Sequence, residues 1–213
     1  MRSDSIFSNY PEDAPQQTLQ VYTRHLSPAR RGTILSFPRL ERSRLLPSAS
    51  FTSDTDLFSE NPDRPRRPIV LLFYTPRWPS PNAQVAFLET LGNDIQIMGG
   101  EFLVISPVPI YFWKRISGPE RSFSVYADTD NGLAHLAGLY DYFNPTWKWM
   151  SGIEENTPLP ALFVASPNGK IRFRYIDAGF SLYRPQPELP VNLLRRMLTQ
   201  VYRYNPQAAR AAS

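Results

Sequence analysis

Few side chains in this sequence could do covalent chemistry, and the most useful type is missing, because none of the 213 residues is cysteine. Without a thiolate the chain can form no disulfide, cysteine-ligated zinc site, iron–sulfur cluster or sulfur nucleophile. Ser80 stands in a short proline-rich turn, but neither His25 nor His135 lies near it in sequence as a candidate base. We interpret both histidines as surface or capping residues.

A paired-carboxylate site is conceivable at two places, Asp128 with Asp130 and Glu154 with Glu155. Such pairs can serve as acid and base, but helix capping and solvated loops explain both more simply. Two histidines, no cysteine and no clustered acids predict that there is no metal site. The sequence also lacks the phosphate-binding motifs G-x-x-x-x-G-K-S/T and G-x-G-x-x-G, so we expect no cofactor.

The charge and hydropathy of the chain limit its partners. The net charge is +4, and only three of the 23 basic residues are lysines. Arginine favours bidentate contacts with carboxylates and phosphates. No apolar run approaches the roughly 18–20 residues needed to cross a bilayer, and the first residues lack the apolar stretch of a signal peptide. We therefore expect a soluble, cytoplasmic protein without a membrane partner.

The composition changes near residue 67 and suggests three parts. Residues 1–67 are rich in proline, serine and arginine, and we predict an N-terminal extension packed on the domain or on a partner. Within it Arg24–Arg44 is strongly basic; we favour a solvated surface and keep nucleic-acid binding as an alternative. Residues 68–204 are predicted to form the folded domain, and residues 205–213 a disordered tail.

The regular part of the chain begins with alternating strands and helices. Ile69–Tyr74 and Glu101–Ser106 are apolar runs of strand length, and Ala83–Ile97 between them has apolar residues at helical spacing. This order predicts the crossover unit of a parallel sheet whose strands are covered on both faces. We predict that Leu162–Ala165 lies beside Ile69–Tyr74 in the sheet centre, antiparallel to it.

Further elements complete the predicted sheet. The Asn168-Gly169 turn predicts an antiparallel hairpin, because both residues tolerate positive φ. Asp141–Thr157 is an aromatic, proline-containing insertion. The remaining predicted strands are Ser122–Ala127 and Lys170–Ile176, and the remaining predicted helices are Pro109–Ile116, a helix through Leu133 to Leu139 capped within Asp128–Asn131, and Pro187–Tyr202.

Four segments of the domain, in this order, resemble the peroxiredoxin-like branch of the alkyl hydroperoxide reductase and thiol-specific antioxidant family. They are VLLFYTPRWPSPNAQ at 70–84, EFLVISP at 101–107, SVYADTDNGLAHLAGL at 124–139 and LPALFVASPNGKIRFRYIDAGFSLYRPQPELPVNLL at 159–194. The resemblance implies an α/β thioredoxin-like fold, with a mixed central sheet flanked by helices. Residues 1–67 match no part of that pattern.

The chain departs from the family at the active-site turn. The peroxidatic cysteine that follows the tryptophan is missing by a one-residue deletion between Trp78 and Pro79, and the second cysteine aligns with Pro81. The resemblance implies that Pro160 faces this turn, as the cis-proline of thioredoxin folds does, and Arg184 could supply positive charge. The residues of the predicted degenerate turn are Thr75, Arg77, Trp78, Pro79, Ser80, Pro81 and Asn82.

These observations support a first functional hypothesis and two alternatives. The first is a non-catalytic binding or scaffold module that self-associates or binds another protein. The first alternative is a redox enzyme by family descent whose chemistry is independent of thiols or supplied by a partner. The second is nucleic-acid binding through the basic extension. The predicted interaction residues are Tyr142, Phe143, Trp147 and Trp149, for which packing in the core is the rival interpretation.

Overall fold

The computed structural model describes residues 26–35, 45–46, 67–76, 81–118, 121–149, 155–166 and 169–177. The strands are β1 (Leu45–Leu46), β2 (Ile69–Phe73), β3 (Glu101–Ser106), β4 (Ser124–Ala127), β5 (Ala161–Ala165) and β6 (Ile171–Ile176). The helices are α1 (Pro81–Ile97), α2 (Ile110–Ile116) and α3 (Gly132–Leu136), with a 3₁₀ turn at Thr146–Lys148. The predicted helix Pro187–Tyr202 lies outside the described residues.

The six strands form one mixed sheet in the order β1-β4-β3-β2-β5-β6. Strands β2, β3 and β4 are parallel, as the crossover through α1 requires. Strand β5 runs antiparallel to β2, with Phe73 opposite Ala161, and β6 pairs antiparallel with β5. The predicted central position and directions of the strands around β2, β3 and β5 are therefore confirmed.

The sheet has a core on each face because its central strands are apolar on both sides. In β2, Val70 and Leu72 belong to one cluster, and Leu71 and Phe73 to the other. We call the first the α1 face, since Val85, Leu88, Leu91 and Ile95 of α1 cover it together with Trp113 of α2. Burying each of these aliphatic side chains contributes about 1.5–3 kcal/mol before entropy is counted. We call the opposite side the α3 face.

The N-terminal part of the chain contributes to this fold. Leu26 and Leu35 are buried in the core of the α3 face, and Ile34 forms a β-bridge with Lys170 at the start of β6. The Arg174 guanidinium donates to the Pro28 carbonyl at 3.1 Å. On the other sheet edge, β1 pairs antiparallel with β4. Segment 26–35 thus covers part of the edge strand β6, and segment 45–46 forms the opposite edge strand and covers part of β4.

Several predicted elements differ by a few residues at their ends, and two of these differences have a local cause. Strand β4 begins at Ser124, because the Ser122 hydroxyl and N–H both donate to the Glu89 carboxylate of α1, at 2.6 and 2.8 Å. Helix α3 ends at Leu136 and not at Leu139 as predicted. Gly138 ends it in the left-handed region at φ 69°, with the Leu139 N–H bonded to the Ala134 carbonyl, which is a Schellman motif.

Candidate functional site

The ends of three parallel strands meet at one edge of the sheet. Thr75 follows β2, Pro107 follows β3 and Asp128 follows β4. Pro160 directly precedes β5, and since Ala161 pairs with Phe73, it lies at this same edge. Pro160 is buried, and its carbonyl accepts the N–H of Asp177 at 2.8 Å. In sheets of this kind the carboxyl ends of parallel strands are the usual place for a site.

The end of β2 is connected to the aromatic insertion by threonines. The hydroxyl oxygens of Thr75 and Thr157 lie 3.2 Å apart, within hydrogen-bond distance. The Thr157 carbonyl in turn accepts the hydroxyl of Thr146 at 2.7 Å, and Thr146 starts the 3₁₀ turn. A short chain of contacts therefore joins the predicted active-site turn to the segment that carries Trp147. Neither Thr146 nor Thr157 stands out in the sequence, because hydroxyl residues are common in loops.

The structure describes only part of the predicted degenerate turn. Thr75 is half-buried, Asn82 is exposed in the first turn of α1, and the backbone of Pro81 begins that helix. Arg77, Trp78, Pro79, Ser80 and Arg184 lie outside the described residues. A pocket between the turn, Pro160 and Arg184 therefore stays a prediction.

Asp128 has a structural role at the sheet edge. It is only 2% exposed, and its two carboxylate oxygens accept the N–H groups of Leu133 and Ala134, each at 3.0 Å. Desolvation, the largest cause, raises the pKa of Asp128; the two N–H groups oppose the rise, and Asp130 adds to it. The carboxylate caps α3, as the capping interpretation of this pair predicts. Glu155 is exposed, and Glu154 lies outside the described residues.

His135 is a surface residue beside the aromatic insertion. Its Nδ1 lies 3.0 Å from the Tyr140 carbonyl oxygen, and its ring centre is 5.4 Å from that of Tyr142. The side chain is exposed. It supports the position of Tyr142 by packing.

Three of the four predicted interaction residues are exposed. Phe143 is 92% exposed, Tyr142 51% and Trp147 49%. Trp149 instead packs against the core of the α3 face, and its indole N–H donates to the Asn144 carbonyl at 3.3 Å. We call Tyr142, Phe143 and Trp147 the aromatic surface. Exposed aromatic side chains are typical of binding sites, because their contact with water is unfavourable until a partner covers them.

The aromatic surface is held in place by its surroundings. Tyr142 donates its hydroxyl to the backbone carbonyl of Asp130 and packs edge-on against Tyr140 at 4.9 Å between ring centres. One carboxylate oxygen of Asp141 accepts the Phe143 N–H at 2.8 Å. On the other side of the segment, the Thr146 N–H donates to the side-chain carbonyl of Asn156 at 3.0 Å. The rings therefore project from an anchored loop.

The described ranges contain neither a metal-binding cluster nor a membrane-spanning helix. Within them, no group of three or more histidine and acidic side chains lies close enough to hold a metal ion. In the same part of the chain, no helix is both long and apolar enough to cross a bilayer.

Comparison with known proteins finds similarity at the level of structure. No protein-family model matches the sequence, and no curated protein is significantly similar to it. The bacterioferritin comigratory protein of Xanthomonas campestris is 16% identical, with 65% of this chain and 80% of that one covered, at a TM-score of 0.44. The mitochondrial 2-Cys peroxiredoxin of Plasmodium falciparum is 18% identical, with 65% and 77% covered, at 0.46. AhpC of Enterococcus faecalis is 16% identical, with 66% and 78% covered, at 0.47.

These neighbours are peroxiredoxins, the family that the sequence resembles. The fold itself is established by the sheet, in which three parallel strands are followed by an antiparallel hairpin inserted beside the first of them. The predicted α/β fold class is confirmed for the described residues: the domain has a thioredoxin-like mixed sheet flanked by helices, in a chain without cysteine.

Proposed function

We propose that this protein is a non-catalytic binding module that keeps a peroxiredoxin-like fold and binds a protein partner through its aromatic surface. The observation that carries the proposal is the exposure of three aromatic side chains within residues 142–147, of which Phe143 is 92% exposed. Large exposed apolar groups on an anchored loop are typical of contact sites, where aromatic residues supply much of the binding energy. A second copy of this chain and another protein are both partners of the proposed kind.

The proposal that the protein is non-catalytic rests on the absence of a thiol. Reduction of a peroxide by this fold family requires a thiolate that attacks the O–O bond and becomes a sulfenic acid. The chain has no cysteine, and the hydroxyl of Ser80 is far too weak an acid to replace one. Purified protein should therefore reduce no hydroperoxide at the expense of a thiol above the rate in buffer. Turnover that follows the protein through purification would contradict this half.

The binding half can be tested by photo-crosslinking in cells that express the full chain. A photoreactive benzoyl-phenylalanine at position 143 should give a covalent adduct to a partner protein or to a second copy. The matched control places it at Tyr111, which is 71% exposed on α2. Adducts from position 143 and none from position 111 are expected. No adduct from position 143, or equal adducts from both, would contradict binding through this surface.

A further inference from the structure

The aromatic surface lies in the acidic part of a basic chain. Residues 128–155 contain five acids, Asp128, Asp130, Asp141, Glu154 and Glu155, and one lysine or arginine, Lys148, whereas the net charge of the whole chain is +4. The contrast in charge is therefore local to the region that carries the exposed rings.

Two of these acids bond to the residues that carry the exposed rings. Asp130 is exposed, and its backbone carbonyl accepts the Tyr142 hydroxyl. Asp141 holds the backbone of Phe143 through one carboxylate oxygen. The pKa of the Tyr142 hydroxyl is raised, first by desolvation and then by the nearby Tyr140, Asp130 and Asp128, which agrees with a negative local field. A ligand at this surface would meet aromatic ring faces and carboxylates together.

A cation already lies at one of these rings. The Lys148 ammonium is 5.6 Å from the centre of the Trp147 ring, within the range of a cation–π contact. Lys148 is exposed and is the only lysine or arginine between positions 128 and 155. It therefore shows that the Trp147 ring can receive a cation, and it would compete with any positively charged ligand for that ring.

From this geometry we infer that the aromatic surface binds an arginine-rich segment of a partner protein, an inference that rests on the proposed function. A planar guanidinium stacks on aromatic faces and pairs with carboxylates through parallel N–H groups. A lysine ammonium offers only a compact, strongly hydrated charge. The surface should thus prefer arginine over lysine at equal charge, which an unspecific attraction between opposite charges would not do.

The test is a fluorescence-polarisation titration of the full chain with three labelled peptides that alternate serine with arginine, lysine or glutamate. The arginine peptide should bind several-fold more tightly than the lysine peptide, and the glutamate peptide should not bind. Phe143→Ala and Trp147→Ala should each weaken arginine-peptide binding about threefold, the size of an exposed cation–π contact. The matched control is Ile97→Ala, at a side chain 84% exposed on α1, which should change nothing.

A variant that is expected to gain affinity distinguishes an effect on binding from damage to the fold. Lys148→Gln removes the competing cation and should tighten arginine-peptide binding about twofold, as expected for one exposed charge. Equal affinity for the arginine and lysine peptides, unchanged or weaker binding by Lys148→Gln, or an equal loss in Ile97→Ala would overturn the inference. The inference would also be overturned if the chain bound no peptide but self-associated, and if Phe143→Ala abolished that self-association. The aromatic surface would then be assigned to contact with a second copy. If the arginine inference failed but position 143 still gave crosslinks, the proposed binding function would remain supported. If position 143 gave no crosslinks, both the arginine inference and the proposed function would be contradicted.

Discussion

The two faces of the sheet are covered by different kinds of chain. The α1 face is covered mainly by two helices that follow directly on β2 and β3, and α1 is 17 residues long. The α3 face is covered by a helix of five residues, by loop residues such as Leu159, and by Leu26 and Leu35 from the distant N-terminal segment. One face is therefore covered mainly by helices close in sequence to its strands, with Leu46 as its N-terminal contribution, whereas the other depends more on segments far apart in the chain.

The aromatic surface belongs to the irregular side. Trp149, in the same insertion, packs against the core of the α3 face, while Phe143 and Trp147 project from it. Binding residues often concentrate on loops. The α1 face is covered mainly by regular helices, whereas the α3 face is covered by a short helix and by loops that carry the exposed rings.

The largest expected effect comes from Gly138→Ala, where the N-terminal segment meets α3. A Cβ at this position would lie 2.1 Å from the backbone carbonyl oxygen of Ser27, and the residue has φ 69°. Left-handed backbone costs a non-glycine residue about 1–2 kcal/mol, and overpacking against backbone adds about 1–3 kcal/mol. Urea unfolding should therefore show a loss of about 3 kcal/mol in the free energy of unfolding.

The matched control is Gly118→Ala, since a Cβ there meets nothing within 4 Å. It should change the free energy of unfolding by less than about 0.5 kcal/mol. If Gly138→Ala were as mild as this control, the N-terminal segment would not be part of the cooperative fold, and the comparison between the two faces would lose its basis.

A smaller loss is expected from Gly92→Ala on the α1 face. A Cβ in this helix would lie 2.5 Å from the Ser122 hydroxyl and 2.7 Å from its carbonyl oxygen. Overpacking costs about 1–3 kcal/mol, but alanine gains about 1 kcal/mol over glycine within a helix. Thermal and urea unfolding should show a net loss of about 1 kcal/mol, below that of Gly138→Ala. A larger loss than that of Gly138→Ala would mean that the contact of α1 with Ser122 tolerates an added methyl group less well than the contact of Gly138 with Ser27.

Much of the α1 face could be predicted from the sequence, whereas the α3 face could be predicted only in part. The strands β2 and β3 are uninterrupted apolar runs, and the helical spacing of α1 is regular, so local pattern suffices. The early end of α3 depends on Gly138, whose backbone meets Ser27 from a distant segment. Strand β1 has only two residues, too few for any periodicity to reveal.

The candidate site, too, could be predicted from the sequence only in part. The sequence marks Tyr142, Phe143, Trp147 and Trp149 equally, since all are aromatic residues in one insertion. Their division into three exposed rings and one packed ring depends on hydrogen bonds to Asp141, Asn144 and Asn156, which no spacing rule reveals. Their role in binding stays a prediction.

The smallest expected effect is the pH dependence contributed by Asp128 on the α3 face. Burial raises its pKa above the ordinary value of 3.8. Between that value and the pKa in the folded state, the folded protein keeps the proton and the unfolded chain has released it, so folding binds protons. Its stabilising contribution is full below the ordinary value and is lost as the pH rises through the folded pKa.

Asp128→Asn tests the predicted direction of this pH dependence of stability, because the amide does not titrate. The variant keeps only part of the cap on α3, since an amide accepts through one oxygen, and that remaining cap does not change with pH. Urea unfolding from acidic to neutral pH should therefore show the wild type losing stability relative to the variant as the pH rises. Asp130→Asn should make that slope shallower, since Asp130 adds to the raised pKa. A flat difference, or a wild type that gains on the variant with rising pH, would mean that the cap outweighs burial and holds the carboxylate ionised at this edge of the sheet.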